Sequence, residues 1–479
     1  MSTFEAYESY DALGLAELVR RGEVTPMELL DAAIERVEAR NPDLNAVVMP
    51  MYTEARSRIR SGLPLGPLRG VPFLIKDLGL FYKGFATTFG SRIYADAAAE
   101  HDSTLVKRYL QAGMVIFGKT NTPEFGLTVT TEPQLYGPCR NPWDRTRTSG
   151  GSSGGAAVAV AAGMVPAAHA SDGGGSIRIP ASCCGLFGLK PTRGRIPAGP
   201  PHGEEWNGLS ANHVITRTVR DSAALLDAAA GPSAGDPYWA PPVDGSFLEE
   251  VGRPPGRLRI AFTTTPPSGL PVDPQCVAAV HATARLCEEL GHIVEEAAPA
   301  FDFETYQKAT VTIIDSNTGA MLSAREAALG REITAGEVEY ITWRSAESGK
   351  RKSAVEFVQA LQTLHHTSRQ VAPFFEEHDM LLSPVLLQPP VPLGFLDTQS
   401  REVRTYVQRL MSFFGFTGLF NATGQPSMSV PLHWTPDNLP VGLLFSAGFG
   451  QEALLLRLAS QLEEARPWKN RRPNLSEKG

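Results

Sequence analysis

The 479-residue chain lacks the features that mark secreted and membrane-spanning proteins. It has five cysteines, an odd number without CxxC spacing, so neither a disulfide framework nor a cysteine metal site is expected. The longest apolar stretch, residues 156–170, is interrupted by Gly163, Pro166 and His169 and is too short to span a bilayer. The N-terminus has no basic segment followed by an apolar core. The sequence therefore predicts a cytoplasmic protein with reduced thiols and no membrane association.

The sequence also lacks a strong excess of charge of either sign. The formal net charge is −7, and charged residues make up 20% of the chain. Nucleic-acid binding requires a basic face that neutralises phosphates, so we expect no nucleic-acid partner. Hydrophobic residues make up 42%, which is ordinary for a globular enzyme with a sizeable core.

Apolar segments with helical and with strand-like patterns follow one another, which favours an α/β fold with a largely buried sheet. Residues 231–257 are rich in Pro and Gly and predict a connector. Residues 303–378 are charged and mainly helical in pattern, as in a cap over a pocket. The other predicted helices are 26–41, 105–112, 156–162, 277–290 and 451–464. The predicted strands are 70–75, 114–117, 165–170, 258–262, 428–430 and 441–446.

Residues 113–120, GMVIFGKT, match the phosphate-loop pattern GxxxxGK[ST]. Such a loop presents backbone N–H groups to phosphates between a strand and a helix. Here the middle residues are themselves an apolar strand, and Thr122-Pro123 prevents a helix directly after Lys119. Nucleotide binding is therefore not expected.

Residues 150–154, GGSSG, match the GxSxG pattern, in which an apolar strand leads directly to a nucleophilic serine. The preceding residues 145–149 are polar and indicate a turn. None of the downstream histidines stands in a distinctive setting, so a Ser-His-Asp triad is not favoured.

Two glycine-serine segments flank one apolar helix and form a more specific pattern. Residues 150–155 precede this helix, and Asp172 with three glycines leads to Ser176 after it. An all-apolar helix has to be buried, and linkers do not normally frame such a helix. Glycines beside a serine allow backbone N–H groups to converge on one point, as an oxyanion hole requires. Lys76, at the end of a predicted strand, completes the pattern.

With these residues the chain resembles the amidase signature family. Residues 150–196 are similar to the family's long Gly/Ser-rich signature, and GVPFLIKD is similar to the strand that carries its lysine. The segments GKTNTPEFG, RNPW and FNATGQPSMSVP are also similar. The likeness extends from about residue 10 to residue 465 and is weakest from 235 to 410.

The resemblance implies a single amidase domain over residues 1–479. Its fold would be an α/β/α arrangement around a twisted mixed sheet. The catalytic core would comprise about 60–230 and 405–465, with a helical cap at about 303–378.

The resemblance also implies three catalytic residues. Ser176 would be the nucleophile, Ser152 a bridging serine that follows a cis peptide, and Lys76 the base. A lysine acts as a base only when neutral, so its ordinary pKa of about 10.4 must be lowered. The apolar run before Lys76 is consistent with burial. No cofactor or metal is expected, since the chain has no HExxH and no Cys/His cluster with ligand spacing.

Supporting roles also follow from the resemblance. Ser153 would support the lysine by hydrogen bonding, Asp172 and Arg178 would brace the loop, and Gly126 would lie in the substrate pocket. The position of Gly173 is more often Thr or another branched residue in this family, so this loop lacks a side chain and is expected to be more mobile. The implied oxyanion donors are the backbone N–H groups of Gly173, Gly174, Gly175 and Ser176.

Within the family, the sequence is most similar to the amidases that hydrolyse nylon oligomers. The similarity implies small or medium, largely uncharged amide substrates, either linear, cyclic or anilide. The implied activity includes carbamate and ester cleavage, because amides, carbamates and esters form similar tetrahedral intermediates. A homodimer is compatible with the sequence.

Two alternative functions stay open at this point. One is the amidase subunit of a glutamine-dependent tRNA amidotransferase, in which Arg344 or Arg351 would hold an amino acid's carboxylate. The other is an inactive binding protein, which the intact Lys76, Ser152 and Ser176 disfavour.

Overall fold

The computed structural model describes residues 4–200 and 202–475, which form thirteen β-strands and fifteen α-helices. The strands are β1 (Val47–Pro50), β2 (Pro72–Lys76), β3 (Val115–Thr120), β4 (Arg140–Asn141), β5 (Asp144–Thr148), β6 (Ala167–Asp172), β7 (Phe187–Lys190), β8 (Ala211–Thr216), β9 (Arg259–Phe262), β10 (Ile293–Glu296), β11 (Met380–Pro384), β12 (Ser427–Trp434) and β13 (Pro440–Ala447). The helices are α1 (Ala12–Arg21), α2 (Pro26–Leu44), α3 (Tyr52–Ser61), α4 (Thr104–Gln111), α5 (Gly154–Ala161), α6 (Arg178–Cys184), α7 (Val219–Ala229), α8 (Pro274–Glu289), α9 (Phe303–Leu329), α10 (Tyr340–Lys350), α11 (Ala354–Val371), α12 (Phe374–Glu377), α13 (Val403–Phe413), α14 (Leu419–Ala422) and α15 (Glu452–Ala465).

Eleven strands form one mixed sheet in the order β1-β3-β2-β6-β8-β7-β12-β13-β11-β9-β10. Strand β2 is parallel to both β3 and β6, and β9 is parallel to both β11 and β10. The pairs between β6 and β11 are antiparallel. Strands β4 and β5 form a separate hairpin.

Helices cover both faces of the sheet. Successive strand residues point to opposite faces, and they enter two different apolar clusters. Leu443 and Phe445 of β13 pack in the cluster that contains residues of α7, α8 and α15. Leu444, between them, packs in the cluster that contains α5 and α6. The α/β/α fold predicted from the sequence is thereby confirmed. Among the helices of residues 4–200 and 202–475, none is both long enough and apolar enough to cross a bilayer.

The parallel pairing of β2 with β6 places the site. Leu74 of β2 is paired with Ala168 of β6, so the carboxyl ends of both strands lie at the same edge of the sheet. This edge is where open α/β sheets bind ligands. Lys76 is the last residue of β2, and Asp172 is the last residue of β6. All residues of both strands are buried.

The helical part that the sequence predicted over residues 303–378 consists of α9 to α12. Helix α9 packs closely against α10, and two glycines allow the close approach. A Cβ atom on Gly349 of α10 would lie 1.9 Å from the carbonyl oxygen of Asp315 on α9. A Cβ atom on Gly319 of α9 would lie 3.0 Å from the carbonyl oxygen of Ala346.

Two local predictions were wrong. Helix α2 begins as predicted, with Thr25 in a capping box, but it continues through Pro42 to Leu44. The Asn41 side chain accepts hydrogen bonds from the backbone N–H groups of residues 46 and 47, which fix the chain just beyond the helix end. Residues 144–148 are a polar strand of the β4–β5 hairpin rather than a turn. Strands β1, β4, β7, β8, β10 and β11 were not predicted.

We predict that Gly349→Ala destabilises the protein, because the new methyl group overlaps the backbone of α9. Overpacking of this kind costs about 1–3 kcal/mol. Urea unfolding measures the effect, and Gly336→Ala is the matched control, since a Cβ atom there meets no atom within 4 Å. Equal unfolding midpoints for the two variants would contradict the predicted overlap.

Candidate active site

The amine of Lys76 lies at the centre of a buried polar cluster. Its Nζ is 2.7 Å from Oγ of Ser152 and 3.0 Å from Oγ of Ser171. Lys76 is fully buried, and Ser152 is 2% exposed. The strand β2 brings the lysine to this position, and the segment that precedes α5 brings the serine. The amine therefore has two hydroxyl partners and no carboxylate within salt-bridge distance among the described residues.

Burial lowers the pKa of Lys76 from its ordinary value to about 7, although Asp172 and Glu205 act to raise it. Removal from water disfavours the charged ammonium, and the more distant carboxylates compensate only in part. A substantial share of Lys76 is therefore neutral near pH 7 and able to accept a proton.

Ser153 contacts the lysine only through an intermediate residue. Its hydroxyl donates to the Ser171 carbonyl at 3.2 Å and accepts from the Ser171 N–H at 3.4 Å. The Ser171 hydroxyl in turn bonds Lys76. Ser153 therefore contacts the lysine through Ser171 rather than by a bond to its amine. The peptide bond between Gly151 and Ser152 is cis, as the resemblance implied.

Ser176 lies at the end of a loop with unpaired N–H groups. None of the backbone N–H groups of residues 173–176 donates a hydrogen bond to a described residue. Gly175 has φ +148°, and a Cβ atom there would lie 2.4 Å from Oγ1 of Thr417, so a side chain is excluded. Ser176 is 8% exposed and lines the adjacent cavity together with Ser152. The loop therefore offers donors to an anion beside a serine hydroxyl.

A buried ion pair holds both ends of this loop. Arg178 donates to Asp172 through Nε at 2.9 Å and Nη2 at 2.8 Å. The same guanidinium donates to the Thr417 carbonyl and to Ser427, each at 2.9 Å. Burial alone would raise the pKa of Asp172, but Arg178 and the hydrogen bonds of Asn421 hold it well below its usual range. The carboxylate stays ionised and anchored.

A cavity of about 290 Å³ opens beside these residues. Ser152, Ser171 and Ser176 form part of its wall, and the rest is mainly apolar. Gly126 also lines it: a Cβ atom there would lie 3.2 Å from Oγ of Ser152. Its aromatic lining consists of Phe81, Phe89, Phe125, Trp206 and Phe414.

Glu205 is a cavity residue that sequence reasoning missed. Its Oε2 accepts hydrogen bonds from Ser210 at 3.1 Å and Asn212 at 3.4 Å. Asn212 contacts Nε2 of His169, whose Nδ1 accepts from the Lys76 N–H. Burial raises the pKa of Glu205, and these hydrogen bonds with the charge of Lys76 oppose the rise. Glu205 lies in a loop without helical or strand periodicity, so no sequence pattern indicated it.

The structure thus brings together the site residues that the resemblance implied, whereas the rejected phosphate-loop match lies elsewhere. Lys119 of the phosphate-loop match is in the buried strand β3, where its amine donates to the Ala86 carbonyl at 2.6 Å. Arg344 and Arg351 are exposed and do not line the cavity.

The α/β/α fold thus holds serine hydroxyls in the wall of one cavity and a buried lysine in contact with one of them, an arrangement suited to hydrolysis rather than to nucleotide binding. Residues 28–456 match the family model described as Amidase. The chain belongs to the amidase family, whose members hydrolyse amide bonds.

Individual relatives cover nearly the whole chain. The 6-aminohexanoate-cyclic-dimer hydrolase of Paenarthrobacter ureafaciens is 39% identical over 97% of this chain and 96% of its own length. A solved structure of a 6-aminohexanoate cyclic dimer hydrolase has a TM-score of 0.92 and 37% identity, covering 98% of this chain and 99% of that one. A bacterial aryl acylamidase of the amidase signature family has a TM-score of 0.87 and 30% identity, covering 96% of each chain. The family resemblance seen in the sequence is confirmed.

We predict that Asp172→Asn strongly destabilises the protein, because it leaves the Arg178 cation buried beside a neutral amide. Removing one partner of a buried ion pair costs about 3–5 kcal/mol. Guanidinium unfolding measures the loss. The control is Glu304→Gln, which removes an exposed ion pair with Lys308 on α9 and should leave the midpoint nearly unchanged. Equal shifts for both variants would refute the structural role of Asp172.

Proposed function

We propose that this protein hydrolyses small to medium, largely uncharged amides through an acyl-enzyme, with Ser176 as nucleophile, Ser152 as proton relay and Lys76 as base. The observation that carries the proposal is the 2.7 Å contact of a buried lysine amine, whose pKa is about 7, with a serine in the wall of the same cavity as Ser176.

The chemistry begins with the neutral amine of Lys76. Ser152 donates its proton to this amine and accepts the proton of Ser176, whose oxygen attacks the substrate carbonyl. The free N–H groups of residues 173–176 stabilise the oxyanion that forms. The proton then returns through Ser152 to the departing nitrogen, and a water molecule repeats the sequence to release the acid.

The size and lining of the cavity favour an uncharged substrate with apolar or aromatic groups. About 290 Å³ lined mainly by apolar side chains suits a ligand of modest size. The relatives include hydrolases of a cyclic amide dimer and of aryl acylamides by name. We propose linear, cyclic and anilide substrates, and also carbamates and esters, because each gives a tetrahedral intermediate with the same oxyanion.

The tRNA amidotransferase alternative lacks support in the cavity. A free amino acid would need a cation for its carboxylate, and Arg344 and Arg351 lie outside the lining. An inactive binding protein is disfavoured by the preserved contact between Lys76 and Ser152.

The experiment that tests the function compares wild type with Ser176→Ala on a neutral anilide, a cyclic amide and a phenylcarbamate. We expect wild type to release amine from at least one of them, and Ser176→Ala to lower kcat/KM by on the order of 10⁴-fold. Ser152→Ala removes the relay and should cost about 10²–10⁴-fold. Ser182→Ala on α6 is the control, because that hydroxyl accepts a bond from the Gly442 N–H outside the cavity. Full activity of Ser176→Ala would overturn the assignment.

The proposed base also fixes the pH dependence. Since only neutral Lys76 accepts a proton, kcat/KM should rise about tenfold per pH unit below its pKa of about 7 and level off above it. Glu205→Gln removes a charge that raises the pKa of Lys76, so the midpoint should move to lower pH. The exposed Glu304→Gln serves as control. A maximum near pH 5 with a decline above it would contradict Lys76 as the base.

A further inference from the structure

The indole ring of Trp206 occupies the space that a side chain at position 173 would need. A Cβ atom on Gly173 would lie 2.9 Å from Cε3 and 3.0 Å from Cζ3 of Trp206. Contacts this short do not occur between a Cβ atom and a ring. Gly173 and Trp206 both line the cavity, so the ring forms the wall directly beside the proposed oxyanion donors.

Helix α9 contacts the residue that follows Trp206. Trp206 has φ +49° and Asn207 has φ +51°, a left-handed conformation that bulky residues adopt only where neighbouring groups maintain it. Asn317 of α9 supplies such a group, because its Nδ2 donates to Oδ1 of Asn207 at 2.7 Å. The same Nδ2 donates to the Ile313 carbonyl within the helix at 2.8 Å.

A second aromatic ring lies beside the next residue of the loop. The Phe414 Cζ atom is 3.9 Å from the Cβ position of Gly174 and 3.0 Å from that of Gly418. Phe414 lines the cavity as well. The part of the cavity that borders these two rings and residues 173 and 174 is called the slot below.

The position of the slot indicates which part of a substrate enters it. The leaving nitrogen has to face Ser152, which lies beside Gly126. The other substituent of the carbonyl, the acyl chain, then faces the rings beside Gly173 and Gly174. A flat or linear chain can run along these two rings, whereas a branch at the carbon next to the carbonyl would meet one of them.

We infer that Trp206 is the specificity-determining residue of the acyl site, which with Phe414 admits flat or unbranched acyl groups and rejects those branched next to the carbonyl. The inference rests on the proposed function, since it takes residues 173–176 as the oxyanion donors. The absence of a side chain at Gly173 is then what makes room for the Trp206 ring beside the loop.

The test is a double-mutant comparison with the p-nitroanilides of butyric and isobutyric acid. Wild type should prefer the linear substrate by about 10-fold or more in kcat/KM, the scale on which an apolar pocket discriminates shape. Trp206→Leu should reduce this preference to about threefold or less. An unchanged preference in an active Trp206→Leu enzyme would overturn the inference.

The steric dependence of Gly173 on Trp206 gives an independent readout. Gly173→Ala should lower kcat/KM about 10-fold or more in wild type but cost much less in Trp206→Leu, since contacting residues are not additive. An equal cost in both backgrounds would refute it. Thermal unfolding checks each variant, and Trp206→Phe, a smaller ring with an expected intermediate preference, replaces Trp206→Leu if that variant does not fold.

The role of Trp206 can be tested even if the proposed amide substrates are wrong. If wild type cleaves neither anilide, the rates at which n-butyl and sec-butyl fluorophosphonates label Ser176 replace kcat/KM as the readout. Faster labelling by the linear probe, with the difference removed by Trp206→Leu, supports the slot even though the amide substrates are wrong. Equal labelling by both probes, or absence of labelling at Ser176, overturns it.

Discussion

The ion pair between Asp172 and Arg178 is the interaction on which the rest of the site depends. Both side chains are fully buried, and removing two charges from water costs several kcal/mol for each ion. Two hydrogen bonds between the charges offset this cost, together with those from Arg178 to the Thr417 carbonyl and to Ser427. As a result β6, α6, β12 and the segment before α14 are joined at one point. The loop of residues 173–176 lies between the two charged residues, its N–H groups donate to no described residue, and Gly173, Gly174 and Ser176 line the cavity.

The same edge of the sheet carries two buried lysines, Lys76 and Lys119, and the groups that surround their amines differ. Lys76 ends β2 with two serine hydroxyls as partners, and burial lowers its pKa to about 7. Lys119 in the neighbouring β3 is also buried, but Asp77 lies 3.8 Å from its amine and opposes the effect, which leaves a pKa of about 8. Burial is thus common to both lysines. Under the proposed mechanism, the absence of a carboxylate within salt-bridge distance of Lys76 among the described residues favours its role as a base.

The sequence indicated the site residues that occur in local patterns. Lys76 stands at the end of an apolar strand, and Ser152 and Ser176 stand in glycine-rich segments around an apolar helix, so each had a signal within about ten residues. Glu205 and Trp206 had none, because they lie in an irregular loop and reach the cavity only through tertiary packing. Ser171 was missed for a related reason: it is one residue of a buried strand, and only the pairing of β6 with β2 reveals that its hydroxyl faces the lysine. The support that Ser153 gives to Lys76 runs through this same Ser171, a link that no local pattern around Ser153 indicates.

The absence of a side chain at Gly173 is explained by Trp206, a residue outside the loop. Compared with the family pattern, the loop lacks a side chain, and the sequence alone therefore indicated a more mobile oxyanion loop. The structure fills this space with the ring of Trp206, so the loop is packed on that side. Asn317 of α9 bonds Asn207, the residue after Trp206, so a helix more than a hundred residues further along the chain contacts the segment that carries the ring. Under the inference that Trp206 selects acyl groups, α9 contributes to that selectivity, whereas the proposed catalytic residues Lys76, Ser152 and Ser176 lie on β2 and on the segments before α5 and α6. Substitutions in α9 are then expected to change which acyl groups enter without altering those three residues.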